Sequence, residues 1–375
     1  MGALAQKFEP SRTSALADLK ALMDALTRFS ASDLHLKPGR PPIYRVSGKL
    51  VIAKAAPLNA EQVKAYCYSL LSESQIAELE RGRSIDFSFQ LGEATRYRCN
   101  AYFQKSQISA VFRIIQERIP SLQNLGLPNV FVSLLQKSTG ILLIGGPTGS
   151  GKTTTLAAAI QYFNETSPYH IITLEDPIEY VFADRMSSIS QREVGQDVPS
   201  FEAGLTGALR QDPDVIVIGE LRDRKTIEVA LRAAETGHLV MATVHTSDAR
   251  RALERVIDVF PPEAQSQVRV QLGSSLVGVV SQKLLPSIDA QRRVLACEVM
   301  VKSPHIEQLI LRNELAEVSE AIADSNSYYH MQSFNQDLQR LLKQGVISQD
   351  VALEASPSPE DLRLALQGMV RDRKR

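Results

Sequence analysis

The run Ile141-Leu142-Leu143-Ile144-Gly145-Gly146-Pro147-Thr148-Gly149-Ser150-Gly151-Lys152-Thr153-Thr154-Thr155 constrains this chain more than any other stretch. An apolar β-type run leads into Gly146-x4-Gly151-Lys152-Thr153, and the helix formers Leu156-Ala157-Ala158-Ala159-Ile160 follow. That is the order strand, phosphate loop, helix. The glycines let successive backbone N–H groups turn toward one anion, and the helix N-terminus adds partial positive charge. Lys152 then reaches the outer phosphates, and the Thr153 hydroxyl can ligate Mg²⁺. Pro147, Thr148, Gly149, Ser150, Gly151 and Thr154 complete the expected nucleotide cradle. The bare pattern arises by accident in on the order of one chain in a hundred of this length, and the flanking strand and helix lower that further.

At 375 residues the chain has room for two or three domains, each with its own core. Cys67, Cys99 and Cys297 are far apart and form no C-x-x-C pair, which argues for reduced thiols in a cytosolic setting and against a zinc site. Lys and Arg number 42, as do Asp and Glu, so no long-range field draws the whole molecule to nucleic acid. Apolar runs are strand-length, far short of the ~20 residues that span a bilayer, so direct membrane insertion is not expected.

From the N-terminus, residues 1–14 are polar and mixed, and Ala15 to Phe29 carries a helical apolar stripe at Leu16, Leu19, Leu22, Met23, Leu26 and Phe29. Ser32 to Leu36 and Ile43 to Leu50 read as two strands, Asn59 to Leu71 and Glu73 to Arg81 as helices. Three alternating segments, Ser84 to Gln90, Thr95 to Gln104 and Ile108 to Ile115, read as an antiparallel meander. These make an α+β domain over 1–115, and 116–126, with Pro120 and Gly126, reads as a linker. Over 127–302 strands alternate with helices, the pattern of an α/β domain around a parallel-rich sheet. There Pro261 to Leu285 reads as helical and Arg293 to Val301 as a strand. Residues 303–375 read as short helices, with Leu338, Leu341 and Leu342 packing a small bundle.

Three strands of the α/β region end in polar groups: His170 to Pro177 with Glu175-Asp176, Asp214 to Glu220 with the Glu220 acid, and Leu239 to Thr246 with His245. Ligands in such sheets bind at the carboxyl ends of strands, so these groups gather at the edge that carries Lys152. Glu220 suits an acid that orients water or holds the Mg²⁺ shell, and Glu175 or Asp176 a base that polarises water. The residues alone do not rank Glu175 against Glu220. His245 suits a group that senses the γ-phosphate. His238, beside Gly237 at a helix exit, fits a C-cap as well as a catalytic part.

Gly146 to Thr153, Glu175-Asp176-Pro177-Ile178-Glu179-Tyr180, Gly219-Glu220-Leu221-Arg222-Asp223, and Thr236-Gly237-His238-Leu239 running to Thr243-Val244-His245-Thr246 resemble the Walker A, Asp, Walker B and His boxes of secretion-superfamily ATPases. Ser32 to Leu36 and Met331-Gln332-Ser333-Phe334-Asn335-Gln336 further resemble the retraction ATPases of type IV pili, the PilT and PilU family. The resemblance implies ATP and Mg²⁺ as ligands and a RecA-like P-loop domain preceded by a smaller PAS-like domain. It also implies a cytoplasmic homohexamer, peripheral at the inner membrane through the pilus platform protein, with a second retraction ATPase as an optional partner. It further implies that Arg98 and Arg113, on the meander, bring charge to the nucleotide. Pro304 to Asn313 departs from the Ala-Ile-Arg-Asn-Leu-type stretch of PilT proper and leans toward PilU or a diverged paralogue. The competing expectation within the superfamily is a pilus assembly or type II secretion ATPase, which usually carries a four-cysteine zinc insert. A nucleic-acid translocase would want a basic, aromatic-interleaved channel, which this tryptophan-free chain lacks.

Overall fold

The computed structural model describes residues 12–46, 48–91, 95–115 and 119–367. The chain forms two compact units, Met1–Arg118 and Ile119–Arg375. Residues 1–11 of the expected polar tail and 116–118 of the expected linker lie outside the described residues.

The first unit runs α1 (Arg12–Arg28), β1 (Ala31–Leu36), β2 (Ile43–Val46), β3 (Lys49–Ile52), α2 (Ala60–Leu70), α3 (Glu73–Gly82), β4 (Ser84–Leu91), β5 (Thr95–Gln104) and β6 (Gln107–Ile114). Its sheet has the order β3-β2-β1-β6-β5-β4, antiparallel throughout. Asn59 and Ser72 open α2 and α3 with reciprocal capping boxes to Gln62 and Gln75, which satisfy helix-end donors that would otherwise be orphaned. Leu19, Met23 and Leu26 of α1 meet Leu34, Tyr97 and Phe112 of the sheet in one core. The stretch Ile43 to Leu50 is two strands and not one. Gly48, at φ +80°, turns the chain from β2 into β3, a conformation that glycine adopts without strain.

The second unit runs α4 (Val130–Leu135), β7 (Gly140–Gly145), α5 (Lys152–Thr166), β8 (His170–Glu175), β9 (Ser188–Glu193), α6 (Phe201–Ala208), β10 (Val215–Ile218), α7 (Arg224–Glu235), β11 (Leu239–Val244), α8 (Ala249–Asp258) and α9 (Pro262–Ser275). It continues with β12 (Leu276–Pro286), β13 (Arg293–Val301), α10 (Pro304–Arg312), α11 (Val318–Asp324), α12 (Asn326–Tyr329), α13 (Phe334–Lys343), α14 (Gln349–Ala355) and α15 (Pro359–Leu366). The sheet order is β13-β12-β7-β11-β10-β8-β9. Every pair in it is parallel except β12 with β13. β7, β10 and β11 are buried along their whole length, as strands covered on both faces must be.

Two elements depart from the sequence reading. Pro261 to Leu285 is helical only as far as Ser275, after which the chain becomes β12. Val277, Val279 and Val280 carry the change, since β-branched side chains suit a pleated, doubly covered strand better than a helix. β9 is a polar edge strand, Ser-Ile-Ser-Gln-Arg-Glu, whose pairing with β8 comes from tertiary context and not from an apolar pattern. After residue 303 the chain packs onto the sheet: Leu338, Leu341, Ile347 and Leu362 are buried with Leu285 and Ala296 of β12 and β13. Among the described residues no helix is long and apolar enough to cross a membrane.

Gly278 marks how closely β12 and β13 approach, because a Cβ there would lie 2.6 Å from the Met300 carbonyl oxygen and 3.4 Å from Leu134. Gly278→Ala is expected to lose about 1–3 kcal/mol of stability through overpacking. Urea unfolding of the purified chain measures this, and an unshifted midpoint would mean that β13 yields without cost.

Candidate functional site

β7, β8, β10 and β11 run parallel and therefore deliver their C-terminal residues to one edge. β7 feeds the phosphate loop, in which Gly146, Gly149 and Gly151 have φ of +148°, +78° and +91°. A side chain at Gly146 would strike Ser150 Oγ and come within 2.7 Å of the Gln282 carbonyl oxygen, so the loop closes there only on glycine. α5 begins after Gly151, which has no side chain to cap it, so its first-turn N–H groups are aimed at the loop for an anion. Pro147, Thr148 and Gly149 are exposed at the rim, whereas Ser150 and Lys152 are buried. The Lys152 ammonium donates to the Gly146 and Pro147 carbonyls at 2.8 and 3.1 Å. Burial lowers its pKa, against the nearby charges of Glu220 and Glu179. Thr153 lies on the first turn of α5, and the Thr154 hydroxyl is 3.0 Å from the Tyr180 hydroxyl.

Glu220 leaves β10 through a segment pinned on both sides. Gly219 N–H donates to Leu174 O at 2.7 Å, Leu221 N–H donates to Thr243 O at 2.9 Å, and the Thr243 hydroxyl donates to Gly219 O. The Glu220 carboxylate then lies 2.7 Å from the Arg222 guanidinium and 3.3 Å from His245 Nε2. Burial pushes its pKa up, but the Arg222 hydrogen bond and the charges of His245, Arg222 and Lys152 outweigh it, so the carboxyl sits below the usual range. Glu175 is shifted the other way. It is partly accessible at its surface yet densely surrounded, and burial raises its pKa despite hydrogen bonds from the Thr173 hydroxyl at 2.7 Å and the Gln191 amide at 3.0 Å. Asp176, beside it, is exposed.

Lys152, Glu220 and His245 thus stand within one electrostatic cluster, and Glu175 stands on the same edge. His238 does not join them. It precedes β11 while His245 follows it, which separates them by about 20 Å of strand. Its Nδ1 donates to the Ala233 carbonyl at 3.0 Å, the C-cap role. Arg98 and Arg113 belong to the first unit, where they face each other across β5 and β6. Arg113 Nε donates to Asp33 Oδ1 at 2.7 Å, and Arg45 lies 3.7 Å from the other oxygen of that buried carboxylate.

Sequence reasoning passed over Arg222, Thr173, Gln191 and Gln282. Arg222 stands two positions after Glu220, a spacing that places both beyond the end of one strand. Gln282, whose amide donates to Thr155 Oγ1 at 2.8 Å, was hidden inside a stretch read as helix.

The family model for type II/IV secretion system proteins matches residues 11–356. The chain is 41% identical over 92% of its length to the type IV pilus retraction ATPase PilT of Pseudomonas aeruginosa, covering 99% of that protein. It is 37% identical to the type IV pilus ATPase PilU of the same organism, over 93% of this chain and 91% of that one. A crystal structure of the pilus retraction motor PilT with bound ADP superposes with a TM-score of 0.85 at 43% identity, covering 91% of this chain and 98% of that one.

The raised pKa of Glu175 has a stability consequence. The folded state holds that proton more tightly than the unfolded chain, so its contribution is fully present below the ordinary value of 4.5 and is lost as pH rises through the native pKa. Glu175→Gln keeps an oxygen for Thr173 and Gln191 to donate to and removes the buried charge. Its melting temperature should exceed that of wild type at pH 8, and the gap should close in acid. Scanning calorimetry at both pH values decides; a variant less stable at pH 8 contradicts the burial argument.

Proposed function

The chain belongs to the family of type II/IV secretion system proteins, and on that premise we propose that it is an ATPase motor that powers retraction of type IV pili, the movement behind twitching. The observation that carries this is the near-complete match to a retraction ATPase together with a phosphate loop, two carboxylates and a histidine on one sheet edge.

The loop amides and Lys152 bind the phosphates of ATP, and the donor set suits a Mg²⁺ ion held by Thr153 and Glu220, since the surroundings of Glu220 favour its charged form. That ion, when bound, neutralises charge developing on the transferring phosphoryl group. Glu175 is the better general base, because environments that push two acids in opposite directions separate their roles and a raised carboxylate accepts a proton more readily. His245, tied to Glu220, reads the γ-phosphate. Arg98 and Arg113 are cross-strand neighbours on one sheet face, and Asp33 already pairs with Arg113 there. We assign both to the charge of the γ-phosphoryl group, which a planar guanidinium can neutralise. The working assembly is a homohexamer in the cytoplasm that docks on the inner-membrane pilus platform protein, with a second retraction ATPase as an optional partner. The match to PilU as well as PilT supports that option.

Deleting the gene tests the direction of work: excess surface pili without movement mean retraction, and bald cells mean assembly. A copy carrying Lys152→Ala should fail to restore movement. In purified protein, Glu175→Gln is expected to lose about 10²–10⁴-fold in kcat with ATP binding kept, as for loss of a general base. Glu220→Gln should instead raise the Mg²⁺ concentration needed for half-maximal rate. Equal behaviour of the two variants in a Mg²⁺ titration would refute the division of roles.

Replacing Arg98 or Arg113 with Lys keeps the charge and loses the planar fork. Turnover should fall well below wild type while ATP binding persists. Wild-type rates in both variants would rule out this assignment.

A further inference from the structure

Glu298 is a buried carboxylate that the hydrolysis scheme leaves unused. It stands on β13 between Ala296 and Met300, which share its face and are fully buried. A charge in such a place is costly unless hydrogen bonds hold it. Its Oε1 accepts the backbone N–H of Ala249, the first residue of α8, at 2.8 Å, and the backbone amide of Phe334, the first residue of α13, also bonds the carboxylate. One side chain therefore holds the positive ends of two helices that are 85 residues apart in the chain.

Both helices lead somewhere informative. α8 begins four residues after His245, with Asp248 as its N-cap accepting from Arg251 N–H at 2.9 Å. α13 begins inside Met331 to Gln336, the motif that the hydrolysis chemistry does not employ. That motif is strapped to the free edge of β13: Val299 and Gln332 exchange backbone hydrogen bonds at 2.8 and 3.0 Å, and the Gln332 amide donates to Cys297 O at 3.0 Å. Lys283 of β12 completes the link, with its ammonium 4.8 Å above the Phe334 ring and donating to Ala355 O at 2.7 Å.

Resting on the reading of His245 given above, we infer that Glu298 is a positioning residue that fixes the His245 loop, through Ala249, to β13 and to the Met331–Gln336 segment. When ionised it accepts from both helix ends, and when protonated it loses much of its hold on them. Nucleotide-dependent movement of His245 is thereby passed to the C-terminal helices, and their position is passed back to His245. The groups that face Glu298 are Asp248 from α8 and Lys283 from β12, with Cys297 beside it on β13 and the Asp337–Arg340 pair on α13. Burial first, and then Asp248, push the Glu298 carboxyl up to about 7 against the hydrogen bonds and Lys283, so its ionisation changes across the neutral range.

The experiment is steady-state ATP hydrolysis by the full chain, with wild type, Glu298→Gln and His245→Ala compared from pH 6 to pH 9. Wild-type kcat should fall as pH drops through the neutral range. Glu298→Gln should lower kcat roughly tenfold at pH 8, leave KM for ATP within about twofold, and abolish the limb near neutrality. If Glu298→Gln matches wild type in rate and pH profile while His245→Ala is inactive, this inference is overturned and the reading of the site stands. Wild-type turnover by His245→Ala removes that reading and the inference with it. Should Glu298→Gln not fold, hydrogen exchange of wild type decides: protection of the peptides spanning Ala249 and Phe334, corrected for intrinsic rates, should weaken together between pH 8 and pH 6. Unchanged or uncoupled protection refutes the joint.

Discussion

The nucleotide edge depends on the absence of a side chain at Gly146. With no Cβ there, β12 brings Gln282 under the phosphate loop, Ser150 turns inward, and the Gly146 carbonyl is left free to receive Lys152. A methyl group would meet the Ser150 hydroxyl, and turning that hydroxyl aside would still leave the Gln282 carbonyl at 2.7 Å and the Ser150 Cβ at 3.0 Å. The loop, the lysine and the strand beneath them are therefore one packing solution. Gln282 extends it, since its amide reaches Thr155 on α5 and its carbonyl lies against Gly146. Around this point Ser150 Oγ, Ser281 Oγ, Gln282 Oε1 and Thr246 Oγ1 are buried without a partner among the described residues, an unusual density of unsatisfied groups for a protein interior. Such groups are costly in a static core, and they concentrate where the nucleotide reading places the changing charge.

Glu175 and Glu220 show how one sheet edge gives different electrostatics to the same functional group. Glu220 extends beyond a short strand into the company of Arg222, His245 and Lys152. Glu175 stays among Thr173, Gln191 and the acidic Glu179 with no cation among the causes of its shift. The difference comes from the neighbouring strands: β9 supplies a neutral amide on one side, while the segment after β10 turns back to supply a guanidinium on the other.

Much of this was legible in the sequence, for physical reasons that vary by element. β7, β10 and β11 announce themselves because doubly covered parallel strands must be continuously apolar, and the phosphate loop does so because its glycines and Lys152 have few other uses in that order. Glu175, Glu220 and His245 followed from topology alone. What stayed hidden was whatever depends on a distant partner. β9 is polar because only β8 pairs with it, so no alternation marks it, and Gln191 was lost with it. β12 follows a helix without a turn residue, and its valines were absorbed into the preceding periodicity, which concealed Gln282. The opposite surroundings of Glu175 and Glu220 needed Arg222 and Gln191 in place, because the two acids are equivalent until their neighbours are known.

The remaining question is how an event at one strand end can move anything else, and the register of β12 bears on it. Successive residues of a strand point to opposite faces. Gln282 faces the phosphate loop helix, and Lys283, the next residue, faces the C-terminal helices through Phe334 and Ala355. β13 extends the link to its free edge: Glu298 holds α8 and α13 from its face, while the backbone N–H of Cys297 donates to the Asp337 carboxylate and its carbonyl accepts from the Gln332 amide. An apolar interface in these places would be more stable, since Glu298 and Asp337 are both raised first of all by burial. It would also be indifferent to direction, because apolar contacts slide. Hydrogen bonds from a buried carboxylate to helix ends transmit both pull and orientation. A motor that turns the loss of one phosphate into displacement needs that property along the path from His245 to the helices behind the sheet, and the buried charges of β12 and β13 lie along it.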